Sequence, residues 1–121
     1  MKKAAFRDRR LSDVTAEIYR REGDNISDQD RRFITMLVQG TVRLTGRLDW
    51  ELRQVFVGDY EELKEGLRIL LRLGVFQLFY MDSVPDYAAV TTTVQLAKQI
   101  HPNLGGLTNA ILRTLVSLEN R

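Results

Sequence analysis

The densest chemistry in this 121-residue chain lies at its start, where Lys2, Lys3, Arg7, Arg9 and Arg10 stand against a single carboxylate, Asp8. A short arm this basic suits the neutralisation of phosphates, which makes nucleic acid the partner class to consider. The same composition also suits a solvated tail, so the arm alone leaves both readings open. The cationic excess is confined to the N-terminal half. Residues 1–58 carry 12 Lys/Arg against 9 Asp/Glu, and residues 59–121 carry 6 against 7, for a net charge of +2.

Other reactive side chains are few. With no cysteine and one histidine, thiolate metal sites, cysteine nucleophiles and His-pair metal sites are excluded. His101, beside Pro102, reads as a helix-end residue whose protonated ring would favour the helix dipole. Glu61, Glu62 and Glu65 read as a solvated first turn pairing with neighbours such as Lys64 or Arg68. Gly105-Gly106 has neither the spaced third glycine nor the preceding strand of a phosphate-binding loop, and reads as a turn. The run Thr91-Thr92-Thr93 is unusual in a helix, because β-branched residues lose rotamer freedom there; packing in a tight helix crossing is the favoured reading over a functional hydroxyl row. Trp50 and Tyr60 are isolated aromatics, unlike the repeated platform of a single-strand binder. No catalytic residue, metal or cofactor is expected.

The elements that must carry these residues are helices. Between Pro85, Pro102 and the glycines, apolar residues recur at three and four positions, the period of an all-α protein. A short first helix spans about Leu11–Arg21 and stops at Gly23-Asp24-Asn25. Ser27 is the N-cap of a second, with Asp28 and Asp30 in its first turn. That helix carries the stripe Phe33, Ile34, Leu37, Val38, Val42, and its Gly40 suggests close approach by a neighbour. Gly46 marks a bend; Leu48, Leu52, Val55 and Phe56 form a third amphipathic segment closing at Gly58. Asp59 with Glu62 is expected to begin a long helix whose interior, Leu67 to Met81, is apolar almost all round, the signature of a central helix. Leu70, Leu73, Phe76 and Leu78 are its expected core, and Arg68 and Arg72, four apart, suggest a polar seam. Tyr87–Ile100 and a last segment with Leu107, Ile111, Leu112, Leu115 and Leu118 bring the expected number of helices to six. No run reaches the roughly 18 apolar residues of a membrane span, and no secretory leader is evident, so a cytoplasmic protein is expected.

The order of segments then resembles a known family. Residues 30–50, DRRFITMLVQGTVRLTGRLDW, are similar to the Leu-Val-x-Gly-Thr-x-Arg and Leu-Asp-Trp segment of NusB-like domains, particularly those fused to ribosomal RNA cytosine-C5 methyltransferases. Residues 70–98, LLRLGVFQLFYMDSVPDYAAVTTTVQLAK, resemble the family's Leu-Arg-Leu-Gly core helix, its Val-Pro corner and its Val-x-Leu-Ala-Lys helix. Residues 106–113, GLTNAILR, resemble its ending. Thr91-Thr92 stand where the family commonly has Asn-Glu. Only 29 residues precede Asp30, room for one helix where the family has two.

The resemblance implies a NusB fold of two small helical bundles, here one domain over residues 1–121 with one N-terminal helix fewer than usual and residues 1–10 as a basic arm. It implies RNA, ribosomal or leader, as partner, a ribosomal protein as a further one, and Arg43 of the Gly-Thr-x-Arg motif as a second RNA contact beside the arm; an internal salt bridge is the competing role for Arg43. It implies no enzyme, since the methyltransferase relatives place catalysis in a domain after the last helix matched here and use cysteines this chain lacks. The branch expected is the rRNA-engaging module of such a methyltransferase, with a stand-alone transcription antitermination factor as alternative and a helical protein–protein adaptor as the rival from another class. A missing helix should also leave apolar surface around Val14, Phe33 and Leu37, for which a homodimer is the simplest cover.

Overall fold

The computed structural model describes residues 16–17, 20–21 and 25–119, and all the regular elements among them are helical. The chain divides into two compact units, Met1–Thr45 and Gly46–Arg121. In the first, Ala16, Glu17, Arg20 and Arg21 are helical, within the span expected of the first helix. Arg20 and Arg21 both pair with Glu17. Helix α1, Asp28–Arg43, starts where its cap predicts: Ser27 is extended, and its Oγ accepts the Asp30 N–H at 3.0 Å. Phe33 and Leu37 are half-buried, and Val14 lies outside the described residues.

The bend expected at Gly46 falls two residues earlier. Leu44 leaves helical geometry at φ −101°, ψ 17°, and its N–H closes on the Gly40 carbonyl at 3.0 Å. The Thr45 hydroxyl then donates to the carbonyls of Thr41 (3.0 Å) and Val42 (2.9 Å). These are the carbonyls a helix end leaves without partners, so a threonine hydroxyl sets the break instead of glycine's freedom.

In the second unit, α2 runs Thr45–Val55, α3 Glu65–Tyr80, α4 Asp86–Ile100 and α5 Leu104–Glu119. Helices α3, α4 and α5 pack against one another pairwise. The long helix does not begin at Asp59. Asp59 does act as a cap, accepting the Glu61 N–H at 3.0 Å, but over a single 3-10 turn, Tyr60–Glu62. Leu63 and Lys64 are extended, and α3 starts only at Glu65. Gly58, at φ +117°, makes the turn ahead of it, a conformation that only glycine adopts without strain.

The core of this unit is Leu48, Leu52, Leu67, Leu71, Val75, Ala89, Val90, Ala97, Ile111, Leu112 and Leu115, with Leu70, Phe76 and Leu78 also buried as expected. Leu73 departs from expectation and is only half-buried. It lies about 200° around the helix from Leu71, which is fully enclosed. A run apolar on every side does not itself say which side its neighbours cover.

A close helix approach over a glycine occurs in this unit at Gly74, a position the sequence did not single out. A Cβ there would lie 3.0 Å from Thr93 Oγ1, 3.1 Å from Thr93 Cγ2 and 3.3 Å from Leu112 Cδ1. Thr93 is buried and donates to the Ala89 carbonyl at 2.7 Å, while Thr91 and Thr92 are exposed. Of the threonine run, only Thr93 therefore packs in the crossing. Gly74→Val should destabilise the protein by roughly 1–3 kcal/mol through overpacking. Gly66→Ala, on the same helix with open space around its Cβ, should cause no loss. Urea titrations of the two variants check the contrast.

Candidate nucleic-acid interface

Helix α1 carries an exposed stripe of two arginines, a glutamine and a methionine. At 100° per residue, positions 32, 36, 39 and 43 fall within about 60° of one another. Arg32, Met36, Gln39 and Arg43 are all exposed. The stripe rises about 16 Å from Arg32 to Arg43 at 1.5 Å per residue. Arg31, Arg32, Thr35, Met36 and Gln39 line a shallow depression of about 460 Å³ along it. Arg43 sits in the last turn of α1, where a cation complements the helix dipole, and has no ion-pair partner among the described residues. Its competing role as one half of a salt bridge among those residues is therefore not what the structure contains. The arm residues Lys2, Lys3, Arg7, Arg9 and Arg10 lie outside the described residues.

A second polar cluster lies in the other unit and has a different character. Asp49, on α2, is 6 % exposed and Arg72, on α3, is 3 % exposed. The guanidinium grips the carboxylate with both arms, Nε to Oδ1 at 2.6 Å and Nη2 to Oδ2 at 3.0 Å. The Tyr60 hydroxyl donates to the same Oδ1 at 2.7 Å. Burial first, then the hydrogen bond to Asp49, hold the Tyr60 phenol well above the usual tyrosine range, so it remains a proton donor at neutral pH. Arg72 and Tyr60 give Asp49 the partners that a buried carboxylate requires, and no open position faces solvent for acid–base work. The cluster joins α2, the 3-10 turn and α3.

Around its edge, Glu61 receives Arg53 at 2.5 Å and Arg68 at 3.3 Å, and the Arg53 guanidinium stacks 5.3 Å from the Tyr60 ring centroid. The expected Arg68–Arg72 polar seam and the pairing of Glu61 with Arg68 are both present. Sequence reasoning missed the chemistry of Tyr60 and the role of Asp49. Asp49 and Arg72 are 23 residues apart, beyond any helical spacing, although each sits inside a recognised motif, Leu48-Asp49-Trp50 and Leu71-Arg72-Leu73-Gly74. Those motifs hold the architecture, whereas Arg43 turns its charge outward.

His101 follows α4, exposed, and its Nδ1 accepts the Asn103 N–H at 3.1 Å. The ring thus sits at the end of α4, the helix-end position expected of it, and caps the turn that follows. Among the described residues no group of three or more His, Asp or Glu could hold a metal ion, and no helix is long and apolar enough to cross a membrane.

The chain is 33 % identical over 95 residues to a probable ribosomal RNA small subunit methyltransferase B of Bacillus subtilis (strain 168), covering 78 % of this chain and 21 % of the relative. It is 34 % identical over 104 residues to the ribosomal RNA small subunit methyltransferase B of Yersinia pseudotuberculosis serotype O:1b (strain IP 31758), covering 85 % and 23 %. The Yersinia pestis bv. Antiqua (strain Angola) protein of that name matches to the same extent. The chain thus spans less than a quarter of the length of the curated relatives it matches, and the similarity lies in their N-terminal region. No solved structure matches it. Residues 2–117 match the NusB family, and with its all-helical build and three motifs in family order, the chain belongs to that family.

Proposed function

We propose that the chain is an RNA-binding domain that engages ribosomal RNA on behalf of a small-subunit ribosomal RNA (cytosine-C5) methyltransferase. The observation that carries this reading is the exposed Arg32–Arg43 stripe, whose last cation has no acidic partner among the described residues and belongs to the Gly-Thr-x-Arg motif. The arm residues Lys2, Lys3, Arg7, Arg9 and Arg10 supply the remaining phosphate contacts. In this role the domain binds and positions, and catalysis lies elsewhere. The methyltransferase names of its relatives favour this branch over antitermination. A ribosomal protein partner and self-association through Phe33 and Leu37 are compatible additions, the latter because both side chains are only half-buried.

Salt-dependent titration of single-stranded RNA tests the proposal. If the five arm cations each neutralise a phosphate, log affinity should fall against log salt with a slope of about −3.5, and Arg43 should add about 0.7 to its magnitude. Replacing Arg7, Arg9 and Arg10 by alanine should shallow the slope by about 2, and Arg43→Ala by about 0.7, with thermal unfolding nearly unchanged. Equal affinity and slope in the parent and both variants would exclude these contacts. Absence of RNA binding by the parent would favour a protein adaptor.

A further inference from the structure

On the second unit, α2, α3 and α5 enclose a groove of about 410 Å³ lined by Trp50, Glu51, Gln54, Phe79, Tyr80, Leu115, Leu118 and Glu119. Its base is apolar and buried at Leu115, and its walls leave large apolar groups in water: Trp50 is 49 % exposed, Tyr80 43 % and Leu118 46 %. Three such side chains around one concavity differ from the singly scattered apolar residues of an ordinary surface. The Arg47 guanidinium lies 4.8 Å from the Trp50 ring centroid and pairs with Glu51 at 3.0 Å, so this edge is held in place.

The rim is acidic. Glu119 also lines the groove, with no ion-pair partner among the described residues, and burial first, then the Asp86 and Glu51 carboxylates, raise its pKa. Arg47, beside Trp50, is already engaged by Glu51. We propose that this groove docks an amphipathic α-helix of a protein partner, with apolar side chains against Trp50, Tyr80 and Leu118 and a lysine or arginine beside Glu119.

Charge complementarity selects that occupant. RNA phosphates, an anionic membrane surface, or a second copy presenting the same acidic rim would each place like charges together. A helix with apolar residues at i, i+3, i+4 and i+7 matches a groove between helices, and a cation on its flank would relieve the carboxylates. None of its lining residues belongs to the arm or to the α1 stripe, so it stands or falls separately from RNA binding.

Trp50 is the only tryptophan of the chain, so its fluorescence reports directly on the groove. The probe is a tryptophan-free synthetic helix of leucine, alanine and lysine with leucines on one face and lysines flanking them. Its control has glutamate at every lysine. The lysine peptide should shift Trp50 emission to the blue saturably, and the glutamate peptide should not. Leu118→Asp and Glu119→Lys, both at exposed positions, should each weaken the lysine peptide about tenfold, with circular dichroism unchanged. No Trp50 response to about 1 mM lysine peptide, or equal responses to both peptides, would overturn the proposal. So would a Trp50 shift produced by oligouridine, which would make the groove a nucleic-acid site. A dimer in sedimentation that Leu118→Asp dissociates would assign the groove to a second copy instead.

Discussion

Asp49→Ala should lower the stability of the helical unit by about 3–5 kcal/mol, a large share of the 5–15 kcal/mol typical of a small domain. The loss comes less from the bonds removed than from what remains. Arg72, 3 % exposed, would keep its charge inside the protein with no carboxylate to balance it, and the Tyr60 hydroxyl would lose its acceptor. Tyr60→Phe, which removes one donor and leaves the ion pair intact, should cost only about 1 kcal/mol. The double variant Asp49→Leu/Arg72→Met removes both charges and should recover most of the loss, because well-packed apolar groups replace a buried pair at little cost. Urea unfolding followed by Trp50 fluorescence reports directly on this unit. A loss below about 1 kcal/mol for Asp49→Ala would mean that water reaches the Arg72 guanidinium and that the pair is peripheral to the fold.

The second large effect is expected at Leu71. The side chain is fully buried on the long helix, so Leu71→Ala should leave a cavity and cost about 2–5 kcal/mol. Leu73→Ala removes the same atoms two residues along but from a half-buried position, and should cost about half as much, since part of that surface is already in water. The same denaturation experiment decides between them. Equal losses would put the covered side of α3 between the two positions and contradict the burial pattern described above.

A good part of this protein was legible from its residues alone. Helix class follows from apolar period and from the absence of strand alternation, and the start of α1 from a serine whose hydroxyl must meet the third N–H of a new helix. The breaks near Gly58, Pro85 and Pro102 were legible because glycine and proline limit the backbone whatever surrounds them. The family was legible because three motifs occur in order. These are all local properties, or properties of order along the chain. The 3-10 turn after Asp59 was not, because the capping signal is the same for one turn as for a long helix. What extended Leu63 and Lys64 achieve is tertiary: they separate the turn that carries Tyr60 from α3, which carries Arg72, and both side chains reach Asp49.

For the functional surfaces the division is the same. A basic arm and an arginine in a motif could be named from the sequence, but whether Arg43 meets solvent or a carboxylate depends on which groups lie beside it after folding. The sequence contains Trp50, Tyr80 and Leu118 on three separate helical patterns with nothing to connect them. Folding brings them to one groove and places Glu51 and Glu119 at its rim. Likewise, Asp49 and Arg72 are unremarkable charges in the sequence and a buried bidentate pair in the structure. Backbone preferences act over a few residues and set what each segment becomes. Burial and charge pairing act across space, so only the packing of the segments decides which faces are covered and which charges meet.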